Sequence, residues 1–418
     1  MNLLEISKQA FVIAFLLYCV AFCFYVVTIT GKTWKNRDPQ NHERKWGKIS
    51  FFTSTLGLIT HLVHVITRWA WSGHIPVSNM YEFMTFLSLM IVLAFTILYL
   101  IYRKALLGLF ATPLAIVVMA YAAVFPQDVQ PLIPSLNSIW LYIHVTLAAA
   151  GDAFFAVGFA AGLMYLLRSI DFKGTDKSAR RQKLWLEITF YSIIIVVGFI
   201  ASVFAFRASG YEAVFTPKAA QGNEAEQVRV VKEVYNLPPI VAPHDSQLES
   251  ADFFLGMSKP LVEVPSWFKG VNAGRKSNTI VWALITGTIL YGLLRLIVRK
   301  PLSEALAPAL KGIDADDLDE ISYRAIAIGF PVFTLGALVF AMIWAQQAWG
   351  RFWGWDPKEV WALITWLFYS VYLHLRLSRG FHGRKASWLA VLGFLVVMFT
   401  LVGVNLIIAG LHSYAGTD

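Results

Sequence analysis

The chain has 418 residues, of which 57% are hydrophobic and only 15% are charged. Because soluble domains carry about 25% charged residues, this composition excludes an ordinary soluble enzyme and predicts an integral membrane protein. The net charge of +9 does not indicate nucleic-acid binding, since the basic residues fall in short loops between apolar runs, as the positive-inside rule describes.

Ten apolar runs are long enough to cross a bilayer. In chain order they cover roughly residues 9–30, 48–70, 82–102, 105–124, 138–167, 186–206, 279–298, 324–347, 358–377 and 386–412. We therefore predict an all-α fold, a polytopic membrane bundle of about ten transmembrane helices with one long outer loop. The predicted regions are a four-helix N-terminal membrane region, a second helical region containing His144, an extracytoplasmic insert and a C-terminal membrane region, at 1–124, 125–206, 207–278 and 279–418.

The first run contains both cysteines of the chain, Cys19 and Cys23, on one face of the predicted helix. Packing inside a membrane helix is their expected role, although the spacing also suits thiol chemistry. The sequence contains no C-x-x-C, which excludes a redox motif of that kind and a covalent haem-attachment sequence in this chain. The run lacks a small-residue cleavage pattern, so we predict a retained helix rather than a removed signal peptide.

The basic loops set the direction of the runs. The loops after the first, third, fifth, seventh and ninth runs are rich in Lys and Arg, and they fall on one side of a ten-span bundle. That side is predicted to be cytoplasmic, with both termini outside. Residues 207–278 then lie outside, where we expect a small domain or an ordered cap with an extended segment at 236–243.

Between the eighth and ninth runs, the sequence WGRFWGWDPKE covers residues 349–359, in a stretch that holds six of the fifteen tryptophans. Its Asp-Pro-x-Glu end, which begins at Asp356, predicts a capped helix start. Capping does not explain Trp349, Trp353, Trp355, Gly350 and Gly354. Aromatic rings beside glycines suit a platform for a flat aromatic ligand, because glycine permits close backbone approach. A belt of interfacial tryptophans is the alternative.

Three histidines are placed where they could serve such a ligand. His144 and His412 are predicted at the outer membrane edge, level with the tryptophan loop. Two neutral imidazoles that face each other can bind haem iron from both axial sides. His374 follows Glu359 along the predicted ninth helix, which places it about 22 Å deeper, near the inner leaflet. Taken alone, a histidine near the end of a span is more often a hydrogen-bonded interface residue than a ligand.

Several stretches resemble segments of one known family. Residues 349–361, 365–366 and 372–376 resemble the WWD signature of membrane haem-handling proteins. Among these proteins the resemblance is strongest to the CcsA-type subunit, called ResC in some bacteria, of the type II cytochrome c synthase. Residues 72–82, 141–146 and 403–414 resemble further segments of that subunit, in the family's order, so the resemblance covers most of the chain.

The resemblance implies a site as well as a fold. It implies that His144 and His412 are the axial ligands of the iron of haem b, the transported ligand and substrate, and that His374 lies on a transmembrane haem path. The implied platform and its supporting residues are Trp349, Trp353, Trp355, Asp356, Gly350 and Gly354, with His74, Trp140 and Trp361. It implies no ligand role for His61 or His64 and no function for residues 207–278.

The implied reaction is covalent, thioether attachment of haem to the C-x-x-C-H sequence of apocytochromes c. The resemblance places this haem lyase activity at the extracytoplasmic face of the bacterial cytoplasmic membrane, and only together with a CcsB/ResB-type membrane protein. The other implied partners are the apocytochrome c and, indirectly, a thiol-reducing protein.

Two other functions compete with this interpretation. A b-type cytochrome that only transfers electrons requires facing histidine pairs within the membrane, and the sequence gives His374 no evident partner at its depth. A solute transporter with the tryptophan loop as a clamp predicts an inverted repeat or paired broken helices, and neither is visible in the sequence.

Overall fold

The structure, a computed structural model, describes residues 2–31, 38–129, 131–132, 136–217, 232–256, 259–267, 272–311, 313–378 and 380–404. Its helices are α1 (Leu3–Thr30), α2 (Pro39–Ser72), α3 (Met80–Tyr102), α4 (Leu106–Ala122), α5 (Ile139–Ser169), α6 (Lys177–Ala208), α7 (Ala273–Val298), α8 (Leu302–Leu306), α9 (Ala315–Phe333), α10 (Ala341–Trp349), α11 (Pro357–Ser378) and α12 (Arg384–Met398). Two π-helical segments, Thr334–Phe340 and Phe399–Gly403, continue α9 into α10 and extend α12.

The predicted all-α, polytopic membrane fold is confirmed. Within the described ranges, nine helices are long and apolar enough to cross a membrane, with Ala315–Trp349 counted as one. The remaining predicted run, the fourth (105–124), corresponds to α4, which has 17 residues. At 1.5 Å per residue it is about 25 Å long, somewhat less than a hydrocarbon core of about 30 Å.

Helix caps explain why two helices begin earlier than their apolar runs. The Asp38 carboxylate accepts the Gln40 N–H at 3.1 Å, and Pro39 occupies the first position of α2, where its missing N–H costs nothing. The Asp176 carboxylate accepts the Ser178 N–H at 3.1 Å at the start of α6. Both helices therefore extend past the apolar run into the basic segment before it.

The described part of the chain forms two compact units, one with residues up to 175 and from 306 onward, and the other with residues 176–305. In the first unit α5 is the central helix, because 83% of its apolar window is buried. It approaches α9 closely through glycines. A Cβ atom on Gly151 would lie 2.6 Å from the Cβ atom of Phe333, and the Ser322 hydroxyl donates to the Gly158 carbonyl at 2.8 Å. Small residues thus allow these two membrane helices to meet backbone to backbone.

The second unit contains α6, α7 and five short strands. The strands are β1 (Ala213–Pro217), β2 (Glu233–Tyr235), β3 (Val241–Ala242), β4 (Ser246–Ala251) and β5 (Val262–Glu263). They form an antiparallel sheet in the order β2-β1-β4 and a separate parallel pair of β3 with β5. Tyr211, Phe215 and Tyr235 are buried together against the three-stranded sheet. The described parts of the segment between α6 and α7 therefore contain β structure, which the all-α prediction did not include.

Candidate functional site

The tryptophan loop is held at both ends by helix caps. Gly350 ends α10 in the left-handed conformation, with φ of 70°, which glycine adopts without strain. At the other end the Glu359 carboxylate accepts the N–H groups of Gly354 at 2.8 Å and Asp356 at 3.1 Å. The Asp356 carboxylate accepts the Lys358 N–H at 3.2 Å. This is the reciprocal capping box that the sequence predicts for the start of α11.

Two of the loop tryptophans stand at right angles to each other. The ring centroids of Trp353 and Trp355 are 5.9 Å apart, and the ring planes are 88° apart. Trp355 has a φ of 57°, a left-handed conformation that is unusual for a large side chain and costs about 1–2 kcal/mol. Its side chain is nonetheless 70% exposed. An exposed aromatic ring on a strained backbone indicates a contact surface rather than a core position.

His144 lies near the start of α5 and belongs to a row of aromatic rings. Its ring stacks on Trp344 of α10 at a centroid distance of 5.7 Å and an angle of 17°. Trp344 in turn meets Trp349 edge to face at 4.8 Å. The Trp344 indole N–H donates to the Leu136 carbonyl at 3.1 Å, which fixes the middle ring of the row. His144 and the first loop tryptophan are thereby joined through one intervening side chain.

A hydrogen bond defines which nitrogen of His144 carries the lone pair. Nδ1 lies 2.9 Å from the carbonyl oxygen of Gly336. Since a carbonyl only accepts, Nδ1 is the donor, and in the neutral imidazole Nε2 is the nitrogen with the lone pair. Metal-binding histidines are commonly oriented in this way by a backbone carbonyl. The bond joins residues 192 positions apart, so no sequence pattern pointed to Gly336.

Both π-helical segments contact the part of α11 that lies nearer the tryptophan loop. Thr334 starts the first of them and accepts the Trp366 indole N–H at 3.0 Å. Thr400, in the second, lies 3.1 Å from Thr365, hydroxyl to hydroxyl. Isolated π-helical turns occur frequently at functional sites. Here they bring α11 together with the carbonyl that orients His144.

The other predicted site residues have defined surroundings. Trp140 stacks on Phe340 at 5.9 Å, and Trp361 packs against Phe399 at 4.3 Å. Both partners belong to the π-helical segments. His412 lies outside the described residues, so the pairing of two outer histidines stays a prediction.

His374 and Arg376 lie at the far end of α11. The Ser378 hydroxyl lies 3.3 Å from His374 Nε2. Since α11 is one continuous helix, His374 is about 22 Å along its axis from Glu359. Arg376 makes two hydrogen bonds to the Asp319 carboxylate of α9, at 2.8 and 2.6 Å. This paired contact ties α11 to α9 at the end opposite the loop.

The segment 72–82, which resembles a family segment, connects α2 to α3 and contains His74. His74 is buried, and its Nδ1 donates to the Ile75 carbonyl at 2.9 Å. The last residue of this segment, Glu82, accepts a hydrogen bond from the Arg68 guanidinium at 2.7 Å, with both side chains almost wholly buried. Sequence reasoning missed this ion pair, although two charged residues at the facing ends of apolar helices are a signal for one.

His61 and His64 form packing contacts between α1 and α2. His64 Nδ1 donates to the Ser7 carbonyl at 2.9 Å, and the Tyr18 hydroxyl lies 3.2 Å from His61 Nδ1. Both histidines are buried. These bonds satisfy the Nδ1 atoms of both histidines within the helix pair, which is a structural role of the kind polar residues take inside membranes.

Replacing Gly336 with Ala is expected to lower the free energy of unfolding by about 1–3 kcal/mol, as overpacking does. A Cβ atom there would overlap the backbone nitrogen of Ala148 and lie 2.5 Å from the carbonyl carbon of Leu147. The π-helical segment must then move away from α5, which breaks the bond to His144. Denaturant unfolding in detergent micelles measures the effect. Gly292→Ala is the matched control, because no atom lies within 4 Å of the added Cβ; an equal loss in both variants would contradict the contact.

Comparison with known proteins identifies the family of the chain. The sequence profile of the family described as "Cytochrome C assembly protein" matches residues 77–217 and 279–412. A protein named cytochrome c biogenesis protein CcsA from Nostoc sp. is 34% identical over 351 residues, which cover 83% of this chain and 82% of the relative. The protein of the same name from Synechocystis sp. is 31% identical over 419 residues, which cover 99% of each chain. The chain therefore belongs to the cytochrome c assembly protein family.

Proposed function

We propose that this chain presents haem b at the extracytoplasmic face of the bacterial cytoplasmic membrane and, with a CcsB/ResB-type partner, attaches it to apocytochromes c. Membership of the cytochrome c assembly family supports a role in cytochrome c biogenesis. The observation that carries the haem step is the hydrogen bond from His144 Nδ1 to the Gly336 carbonyl, beside the row of rings formed by Trp344 and Trp349. It leaves Nε2 as the nitrogen suited to bind iron.

The proposed division of roles follows the chemistry of each side chain. His144 and His412 take the two axial positions of the iron. Trp353 and Trp355 offer apolar ring faces to the porphyrin, and Trp349 supports them from the end of α10. Gly350 and Gly354 have no side chain, so the macrocycle can approach the loop backbone closely. The Asp356 carboxylate acts on the protein itself, since it caps α11 and fixes the loop.

The proposed reaction forms two thioether bonds. In each, a cysteine S–H of the apocytochrome adds across a haem vinyl group, so that one vinyl carbon gains the sulfur and the other gains the hydrogen. The addition involves no net oxidation or reduction, but both cysteines must enter as thiols, which calls for a thiol-reducing protein upstream. Holding the haem still against two thiols supplies the main acceleration, since well-oriented reactants gain about 7–11 kcal/mol over free ones.

His374 is proposed to line the route by which haem reaches the loop. It lies on the same helix as the capping box, nearer the opposite end. Polar side chains within membrane helices frequently mark such pathways. In this arrangement one rigid helix carries both the inner contact and the support of the outer platform.

Co-expression tests the proposed reaction. The chain, a CcsB/ResB-type partner and an apocytochrome with C-x-x-C-H are produced in a bacterium that lacks its own cytochrome c synthases. Haem that stays on the apocytochrome in a denaturing gel, detected by peroxidase staining, is the expected result. An apocytochrome with both cysteines replaced by serine is the control. Haem that copurifies with the chain without any covalent product would favour the b-type cytochrome, and the absence of haem would favour the transporter.

A further inference from the structure

The tip of the β structure meets α6 and α7 where their apolar surfaces end. The Phe254 ring lies 5.0 Å from Phe206 of α6 and 5.8 Å from Trp282 of α7, centroid to centroid. Phe206 is followed directly by Arg207, the first charged residue after a long apolar stretch of α6. Phe254 therefore marks the level at which the apolar surface of this helix pair gives way to polar groups.

The two neighbours of Phe254 are large, apolar and almost wholly exposed. Phe253 is 85% exposed and Leu255 is 83% exposed. The chain turns tightly after them, since Leu255 and Gly256 both have positive φ, 47° and 75°. A turn that projects two large apolar side chains away from its own unit indicates a contact with something apolar outside it.

The position of the tip along α7 identifies that contact. Trp282 is the tenth residue of α7, about 14 Å from its start. Arg275 and Lys276 precede it by seven and six residues, about 10 Å nearer the polar end of the helix. The long side chain of Lys276 at that level suits the phosphates of lipid headgroups, while the Arg275 charge acts on Glu233 of β2. The tip thus lies deeper than the basic residues, at the boundary between headgroups and acyl chains.

We propose that residues 253–255 are a membrane-inserting tip, with Phe253 and Leu255 in the interfacial layer of the lipid leaflet around the joined ends of α6 and α7. The occupant of this surface is lipid, because the tip continues the exposed apolar face of α7 on which Trp282 lies, which includes Ile285 and Ile289, one and two turns from Trp282. The tip holds the β structure against the bilayer. This role is independent of haem chemistry, since it rests only on the membrane-spanning character of α6 and α7.

A fluorescent label on the tip tests the proposal. In a full-length background with Cys19→Ala and Cys23→Ala, Phe253→Cys is labelled with the environment-sensitive dye NBD. The protein is reconstituted into vesicles of phosphatidylcholine and phosphatidylglycerol. The control is Gln247→Cys, exposed on β4 and about 20 Å along the chain from the tip. Thermal unfolding identical to that of the unlabelled chain establishes that each labelled protein is folded.

The expected result is a blue-shifted emission at position 253, with strong quenching by lipids that carry a shallow spin label and weak quenching by aqueous iodide. The control label is expected to show the reverse. Equal iodide quenching at both positions would overturn the proposal. So would protection of position 253 that arises only when a second protein is added, because the surface would then bind protein rather than lipid.

Discussion

A chain with His144 replaced by Ala, copurified with its CcsB/ResB-type partner, is expected to lose the low-spin absorption bands of bis-imidazole haem. Nδ1 of this histidine is committed to the Gly336 carbonyl, so Nε2 is the nitrogen proposed to bind the iron. Removing even the outer partner of a metal-binding histidine costs about 10–100-fold. Loss of the ligand itself should therefore lower covalent haem attachment by at least about 100-fold. Absorption spectra and the peroxidase stain of the apocytochrome measure the two effects.

The control for this prediction is His382→Ala. His382 is exposed between α11 and α12, and its replacement should leave the spectrum unchanged. Imidazole added to the His144→Ala protein is expected to restore the bands, because it can enter the space beside Trp344 that the side chain leaves. Undiminished bis-imidazole bands in His144→Ala without imidazole would show that this histidine is not a ligand.

Replacing Arg68 with Met is expected to lower the free energy of unfolding by about 3–5 kcal/mol, the usual cost of leaving one buried charge without its partner. The side chains of Arg68 and Glu82 are 1% and 0% exposed. Arg68 also donates to the Gln127 carbonyl at 2.9 Å, while Glu82 accepts the Ser78 hydroxyl at 2.7 Å. Without the guanidinium, the Glu82 carboxylate stays buried with no opposite charge beside it, which is the source of the cost. Denaturant unfolding in detergent micelles provides the measurement.

Two comparisons separate this effect from lost packing. The double variant Arg68→Met with Glu82→Gln is expected to lose less stability than Arg68→Met alone, because it removes both charges. Lys104→Met removes a charge from the exposed pair with Asp317, in which the side chains are 50% and 45% exposed, and it should cost no more than about 1 kcal/mol. Equal losses in Arg68→Met and Lys104→Met would contradict the importance of burial.

The helices could be predicted because a membrane helix needs apolar side chains both where it faces lipid and where it packs against other helices. Long apolar runs located α4 and each of the nine described helices that can cross a membrane, independently of how these helices pack. The capping box at Asp356 and Glu359 was readable because all of its parts lie within four residues of sequence. The strands could not be predicted in this way. β1 pairs with β2 and β4, which follow it at a distance along the chain, and the sequence there shows no alternation of apolar and polar residues.

The candidate site was predictable only in its residue types. Density of tryptophan pointed to the loop, but the row from His144 through Trp344 to Trp349 depends on how α5 and α10 pack. The orienting carbonyl of Gly336 belongs to a π-helical turn, and backbone groups carry no signature in a sequence. The ion pair of Arg376 and Asp319 likewise depends on how α11 and α9 pack, so the sequence does not predict it.

α11 is fixed by Arg376 at the end opposite the tryptophan loop, so a tilt of the helix about that point moves its other end the most. Its pivot is Arg376, held by two hydrogen bonds to Asp319, and its long arm ends at the loop bound by Glu359. Along this arm Thr365 and Trp366 connect α11 to the two π-helical segments, which would move with it. The arm is about 26 Å long, so a tilt of about 5° at the pivot carries the loop through about 2 Å. A small tilt of α11 beside His374 would therefore be amplified at the tryptophans, so the two ends of this helix move together rather than independently.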